Sequence, residues 1–136
     1  MPVDLSILDP EQLKAVLDTE GSVLILACAG AGKTRVLASR VAYLIDQGIA
    51  PEEILCITFT NKATEEMQTR IANYTGRDVS NMWIGTFHAV CSRILRQWGW
   101  RANIPQNFSI YSDTESKSVI KLLLKAQGLS HKVYSP

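Results

Sequence analysis

The chain has 136 residues, room for one domain or a piece of a larger one. Lys plus Arg total 14 and Asp plus Glu 13, a net charge of +1, which excludes a whole-protein polyanion binder of the histone-tail kind; 46% apolar and 20% charged residues exclude general disorder. No apolar run approaches the ~20 residues that cross a bilayer, and the opening Met1-Pro2-Val3-Asp4 is acidic rather than a basic secretory leader, so the expected location is cytoplasmic.

The first expected element is a helix. Asp9-Pro10-Glu11-Gln12 supplies an Asp cap, Pro at the first helical position and Gln at the third, and the helix should reach about Thr19 and break at Gly21. Val23-Leu24-Ile25-Leu26-Ala27 is short and wholly apolar, the pattern of a strand buried on both faces of a parallel sheet. After a glycine-bearing loop, Val36, Leu37, Val41, Leu44 and Ile45 recur at helical spacing between Lys33 and Asp46. The grammar then repeats. Ile54-Leu55-Cys56-Ile57-Thr58-Phe59 reads as a strand, and Thr60 or Asn61 caps a helix ending near Tyr74-Thr75-Gly76. Met82-Trp83-Ile84 predicts a third strand, followed by a helix from about Thr86 to Trp98, and Phe108-Ser109-Ile110 a fourth strand. Asp113 to Gln127 is a last amphipathic helix closed by Gly128. Such alternation implies an α/β layered fold with a parallel sheet and right-handed crossovers.

Charge is unevenly spread. Residues 1–20 carry five acids and one Lys, a net of −4, whereas residues 81–136 carry seven bases and two acids, a net of +5. The basic end could face a polyanion, or Lys117, Lys121 and Lys125, spaced four apart, are the wet stripe of one helix. Cys28, Cys56 and Cys91 form no close pair, and His88 and His131 have no metal-type spacing to them. All three cysteines are expected as reduced thiols in apolar surroundings.

The chemistry concentrates at Ala27-Cys28-Ala29-Gly30-Ala31-Gly32-Lys33-Thr34, between the first apolar run and its helix. The string matches G-x-x-x-x-G-K-S/T except that Ala27 replaces the first glycine. Small residues let backbone N–H groups curl around a phosphate, and the helix start adds its positive dipole end. Lys33 can reach the β/γ-phosphates and the Thr34 hydroxyl can ligate Mg²⁺. The plainer alternative is a tight turn with a solvent-facing lysine; the apolar run before and the helix after favour the nucleotide.

Four segments lie in the order and spacing of a known family: Leu8-Asp9-Pro10-Glu11-Gln12, Ala29-Gly30-Ala31-Gly32-Lys33-Thr34, Ile57-Thr58-Phe59-Thr60-Asn61-Lys62-Ala63 and Trp83-Ile84-Gly85-Thr86-Phe87-His88. From residue 5 to residue 134 the chain resembles the UvrD/Rep-type superfamily 1 DNA helicases. That resemblance implies a RecA-like P-loop NTPase domain with a partial parallel sheet over residues 1–111 and the start of an inserted helical subdomain over 112–136. It implies ATP and Mg²⁺ as cofactors, with Ala29, Gly30, Ala31, Gly32, Lys33 and Thr34 on the phosphates, Lys33 and Thr34 serving catalysis, and Gln12 and Arg35 at the adenine. Gln12 equally completes a capping box with Asp9, and Arg35 is equally an ordinary exposed arginine of a first helical turn. Single-stranded DNA and duplex junctions are the implied partners, with contacts from Phe59, Thr60, Asn61, Lys62, Thr86, Phe87 and His88. From chemistry alone Phe59 could instead be core, Thr60-Asn61 a simple cap and His88 a structural tie.

Hydrolysis needs an acidic residue at the end of a further apolar strand. Asp46, Asp78 and Asp113 all sit in turn or cap contexts, and the second RecA-like domain that the family uses is not in these residues. The expectation is therefore the N-terminal part of a helicase acting in repair or replication, binding nucleotide but not turning it over alone. The rivals are a helicase–nuclease of the related type, a small P-loop kinase, and a binding module without turnover.

Overall fold

The computed structural model describes residues 3–129, and the chain divides into two compact units, Met1–Ile94 and Leu95–Pro136. In the first unit, helix α1 (Pro10–Leu17) starts with a reciprocal capping box: Asp9 Oδ1 accepts the Gln12 backbone N–H at 2.9 Å, and Gln12 Oε1 accepts the Asp9 N–H at 3.4 Å. The helix stops at Leu17, short of Thr19. Helix α2 (Lys33–Asp46) follows the glycine loop, with Gly32 as a left-handed N-cap that has no side chain to close the helix start. Strand β1 (Leu55–Thr58) leads into α3 (Asn61–Thr75), which Thr60 Oγ1 caps by accepting the Ala63 N–H at 3.1 Å and which ends on left-handed Gly76. Strand β2 (Trp83–Thr86) passes into α4 (Phe87–Trp98) with no residue between them.

The two strands run parallel, pairing Leu55 with Trp83 and Thr58 with Thr86, and α3 is their crossover. β1 alternates as a strand covered on one side must: Cys56 and Thr58 are half-buried, Leu55 and Ile57 exposed. The covered side meets a core built from Ala38, Val41 and Ile45 of α2, Met67 and Ile71 of α3, and Ile54, Val79 and Met82. Ile45 and Ile71 are almost wholly enclosed there, and burying each contributes about 1.5–3 kcal/mol. In the second unit, α5 (Asp113–Ala126) opens on a Ser112–Glu115 capping box. Lys117, Lys121 and Lys125 are all exposed on it. His131, Lys132 and the rest of the expected segment beyond residue 129 lie outside the described residues.

Two of the four expected strands are not strands. Residues 23–27 take no regular structure, and Leu24 and Leu26 are 82% and 85% exposed rather than buried on both faces. A strand exists only through its ladder, and the sheet of the described residues is β1 with β2 alone. At residues 108–110 an arginine takes the carbonyls a ladder would need: Arg96 donates to Gln106 O at 2.8 Å and to Phe108 O at 3.4 Å, its guanidinium 4.6 Å from the Phe108 ring centre. The cysteines are free, but only Cys56 is in apolar surroundings; Cys28 is exposed on the loop before α2 and Cys91 on a solvent-facing position of α4. Burial pushes the Cys56 thiol up to about 11.

Candidate functional site

The loop before α2 is a cradle of small residues. Ala31 N–H closes a turn on Cys28 O at 3.2 Å, and Gly30 and Gly32 take φ of +81° and +78°. At Gly32 two demands coincide, since a Cβ there would be left-handed and would lie 3.1 Å from Gln12 Nε2. The space beside Gly30 is open to 4 Å. Ala29 and Ala31 are exposed along the same loop, and Thr34 is half-buried at its end. The amides of Lys33, Thr34 and Arg35 begin the helix, where an α-helix offers no internal acceptor. Those N–H groups, together with the dipole end, suit an anion.

Three cations surround that helix start. A cleft of about 290 Å³ is lined by Gly30, Gly32, Lys33, Thr34, Arg35 and Arg70. Among the described residues no carboxylate lines it, so its field favours a polyanion. Lys33 Nζ donates to Cys28 O at 2.7 Å and Ala27 O at 3.2 Å, which holds the ammonium against the loop instead of out in solvent. Arg70 is the residue that reading the sequence missed. It lies on the third turn of α3, and only the packing of α3 against α2 brings it to the loop; no local pattern marks it.

Gln12 does more than cap. Beside its bonds with Asp9, its Nε2 donates to Ala31 O at 3.2 Å, tying α1 to the loop. A groove of about 450 Å³ runs between α1 and residues 23–27, with Gln12 and Ala31 in its lining, and meets the cleft at Lys33.

The second group of residues stands at the carboxyl ends of β1 and β2, which the Thr58–Thr86 pairing sets side by side. Thr58 Oγ1 and Thr64 Oγ1 are 2.6 Å apart, and both reach Thr60 O, at 3.1 and 3.2 Å. This hydroxyl cluster fixes the turn and turns Phe59 out: its ring is 92% exposed, and it is not core. Asn61 and Lys62 are exposed on the first turn of α3. At the neighbouring turn Thr86 Oγ1 accepts the Ala89 N–H at 3.3 Å, Phe87 is 59% exposed and His88 is exposed. Gly85 is buried because α4 folds back on it; a Cβ would meet Val90 Cγ2 at 3.3 Å. Below, Arg93 stacks its guanidinium 4.0 Å from the Trp83 ring centre and donates to Met82 O at 3.3 Å.

Asp46, Asp78 and Asp113 sit in local structure. Hydrogen bonds from the Ser80 backbone and hydroxyl hold the Asp78 carboxyl below its ordinary range, Asp46 ends α2, and Asp113 begins α5. Among the described residues no three His, Cys, Asp or Glu gather as a metal cluster, and no helix is long and apolar enough to cross a membrane.

A parallel strand pair, a glycine loop opening α2 and two exposed aromatic turns at one sheet end make up the frame of this chain. The family model described as "UvrD/REP helicase N-terminal domain" matches residues 8–135, and the chain belongs to that family. Over 130 residues it is 47% identical to the ATP-dependent DNA helicase PcrA of Staphylococcus epidermidis, covering 95% of this chain and 18% of that protein. With the PcrA of Staphylococcus aureus the identity is 46% over 133 residues, 97% of this chain and 18% of the relative. The chain thus spans under a fifth of the length of the curated relatives it matches.

Proposed function

We propose that this chain is the nucleotide-binding, DNA-facing N-terminal region of an ATP-dependent DNA helicase with a RecA-like P-loop domain. The observation that carries the reading is the start of α2: an uncapped helix end, open space beside Gly30, and Lys33, Arg35 and Arg70 around one cleft without a carboxylate. Those features fit a polyphosphate. Ala29, Gly30 and Gly32 offer it backbone N–H groups, Ala31 shapes the loop through its own N–H bond to Cys28 O, Lys33 exchanges its loop carbonyls for phosphate oxygens, and Arg70 adds a second cation. The Thr34 hydroxyl is a hard oxygen of the kind Mg²⁺ prefers; bound Mg²⁺ would spread the phosphate charge. Arg35 and Gln12 both lie beside Gly32, and they would stack on and read the adenine.

Single-stranded DNA is the proposed partner of the other group. Phe59 and Phe87 offer bases two exposed faces, while Thr60, Asn61, Lys62, Thr86 and His88 offer hydroxyl, amide, ammonium and imidazole groups to the backbone. In the longer protein a second RecA-like domain would close the cleft, and ATP hydrolysis would step the pair along the strand toward duplex junctions. Such work on chromosomal DNA belongs to repair or replication in the cytoplasm.

Calorimetry with Mg-ATP on the 136-residue chain tests the loop. Lys33→Ala should weaken binding by about tenfold or more, the worth of charge-assisted hydrogen bonds. Equal binding by the two proteins would overturn the assignment. Without a carboxylate at the cleft, phosphate release should stay at background with or without DNA. DNA-stimulated release that Lys33→Ala abolishes would reveal a catalytic acid elsewhere in the chain.

A further inference from the structure

Helix α1 has eight residues, too few to hold its place by its own hydrogen bonds. Of its side chains only Val16 is buried, and residues 18–29 beyond it take no helix or strand. What fixes its far end is Arg40, from the middle of α2. Arg40 Nη1 donates one N–H to Ala15 O at 2.7 Å and the other to Asp18 O. These are carbonyls of the last turn and cap, which have no helical acceptor role left to fill, and they form the negative end of the helix dipole. A half-buried guanidinium beside them meets both needs. At the other end of the same short helix, Gln12 Nε2 donates to Ala31 O in the loop. So α1 is pinned to α2 through Arg40 and to the loop through Gln12, with Val16 as the pivot between.

Gln12 retains one N–H and one Oε1 lone pair beyond the bonds to Ala31 and Asp9. A donor beside an acceptor matches the N7/N6 edge of adenine, whereas guanine presents two acceptors, N7 and O6. The match depends on where the amide sits, and therefore on where α1 sits. We propose that Arg40 is the positioning residue that sets Gln12 over the loop and thereby gives the site its preference for adenine over guanine. The inference rests on the nucleotide reading above and adds to it a residue that touches neither base nor phosphate.

The test compares Mg-ATP, Mg-GTP and inorganic tripolyphosphate on the whole 136-residue chain and its variants. The parent should prefer ATP over GTP by about tenfold, what one or two net hydrogen bonds supply. Gln12→Ala should level that ratio, and Arg40→Ala should level it equally while leaving tripolyphosphate affinity unchanged. The double variant should show the ratio of Gln12→Ala and no further loss, because one residue acts through the other. Arg40→Lys, which can reach one carbonyl but lacks the fork, should fall between. Amide exchange should quicken at Leu13–Asp18 in Arg40→Ala and stay unchanged in β1 and α3. A preserved ATP-over-GTP ratio, or unchanged exchange in α1, overturns the role of Arg40. So does a parallel loss of tripolyphosphate binding, which would make the effect one of general stability. Lys33→Ala separates the two levels: if it leaves tripolyphosphate binding intact, the nucleotide reading fails and the selectivity role falls with it; if it abolishes that binding, the Arg40 variants judge Arg40 alone.

Discussion

The starts of α2 and α3 share one sequence grammar, an apolar run leading through a short connection into a helix, and they differ in how the first-turn amides are satisfied. At α2 the cap is Gly32, left-handed and without a side chain, so the amides of Lys33, Thr34 and Arg35 remain available. At α3 the cap is Thr60, whose hydroxyl occupies the Ala63 amide while Thr58 and Thr64 knot the turn from below. The open start is suited to an anion held by backbone. The closed start is suited to presenting side chains, and it displays Phe59. The same junction thus occurs twice in one chain, once leaving main-chain amides open and once exposing side chains.

Changes at the open start should be the most damaging to ligand binding. Gly32→Ala places a Cβ against Gln12 Nε2 at a φ of +78°; the left-handed strain alone costs about 1–2 kcal/mol. Nucleotide affinity, by calorimetry, should fall about tenfold or more, matching the loss from Lys33→Ala, and intact affinity would mean that the loop is not the receptor. Phe59→Ala should come next. Stacking is worth about 1–3 kcal/mol per base, so low-salt anisotropy with single-stranded DNA should show that loss while the melting temperature holds, since the ring buries almost nothing. A large fall in melting temperature with unchanged DNA binding would reverse the assignment of Phe59.

Thr60→Ala should do the converse, costing about 1 kcal/mol of stability as a lost cap, with a smaller effect on DNA as the Phe59 turn loosens. The cysteines give the mildest contrast. With a thiol reagent near neutral pH, exposed Cys28 and Cys91 should react in the folded chain and Cys56 only after unfolding, and Mg-ATP should shield Cys28 alone. Because burial raises the Cys56 thiol from 9.0 to about 11, the stability tied to its neutral form is present below pH 9.0 and lost as pH climbs through about 11. The gap between melts of the parent and Cys56→Ala should therefore change between pH 9.0 and about 11 and stay constant on either side.

What could be read from the sequence was what local chemistry decides. The caps at Asp9 and Thr60 fix the starts of α1 and α3, α2 stands where its apolar spacing puts it, and α5 begins at Asp113 as expected. Gln12 reads from the sequence as a cap or a site residue, and its capping box is present together with its bond to the loop. The strands were less legible because pairing is not local. Residues 23–27 and 54–59 look equally apolar, yet only the second finds a neighbour, and Phe108 O is taken by Arg96. Arg70 and Arg40 went unread for the same reason: each acts on a segment at least 22 residues away, across a helix interface that no sequence window spans.

The joint between β2 and α4 has a mechanical consequence. Thr86 is the last residue of the strand and Phe87 the first of the helix, and buried Gly85 lets Val90 close directly over them. A connection with no intervening residue has no slack. A pull on Phe87 or His88 is carried at once into the strand and, through the Thr58–Thr86 pairing, across to the turn that holds Phe59. The two aromatic turns are thereby joined through main chain alone, with no flexible linker between strand and helix at the second.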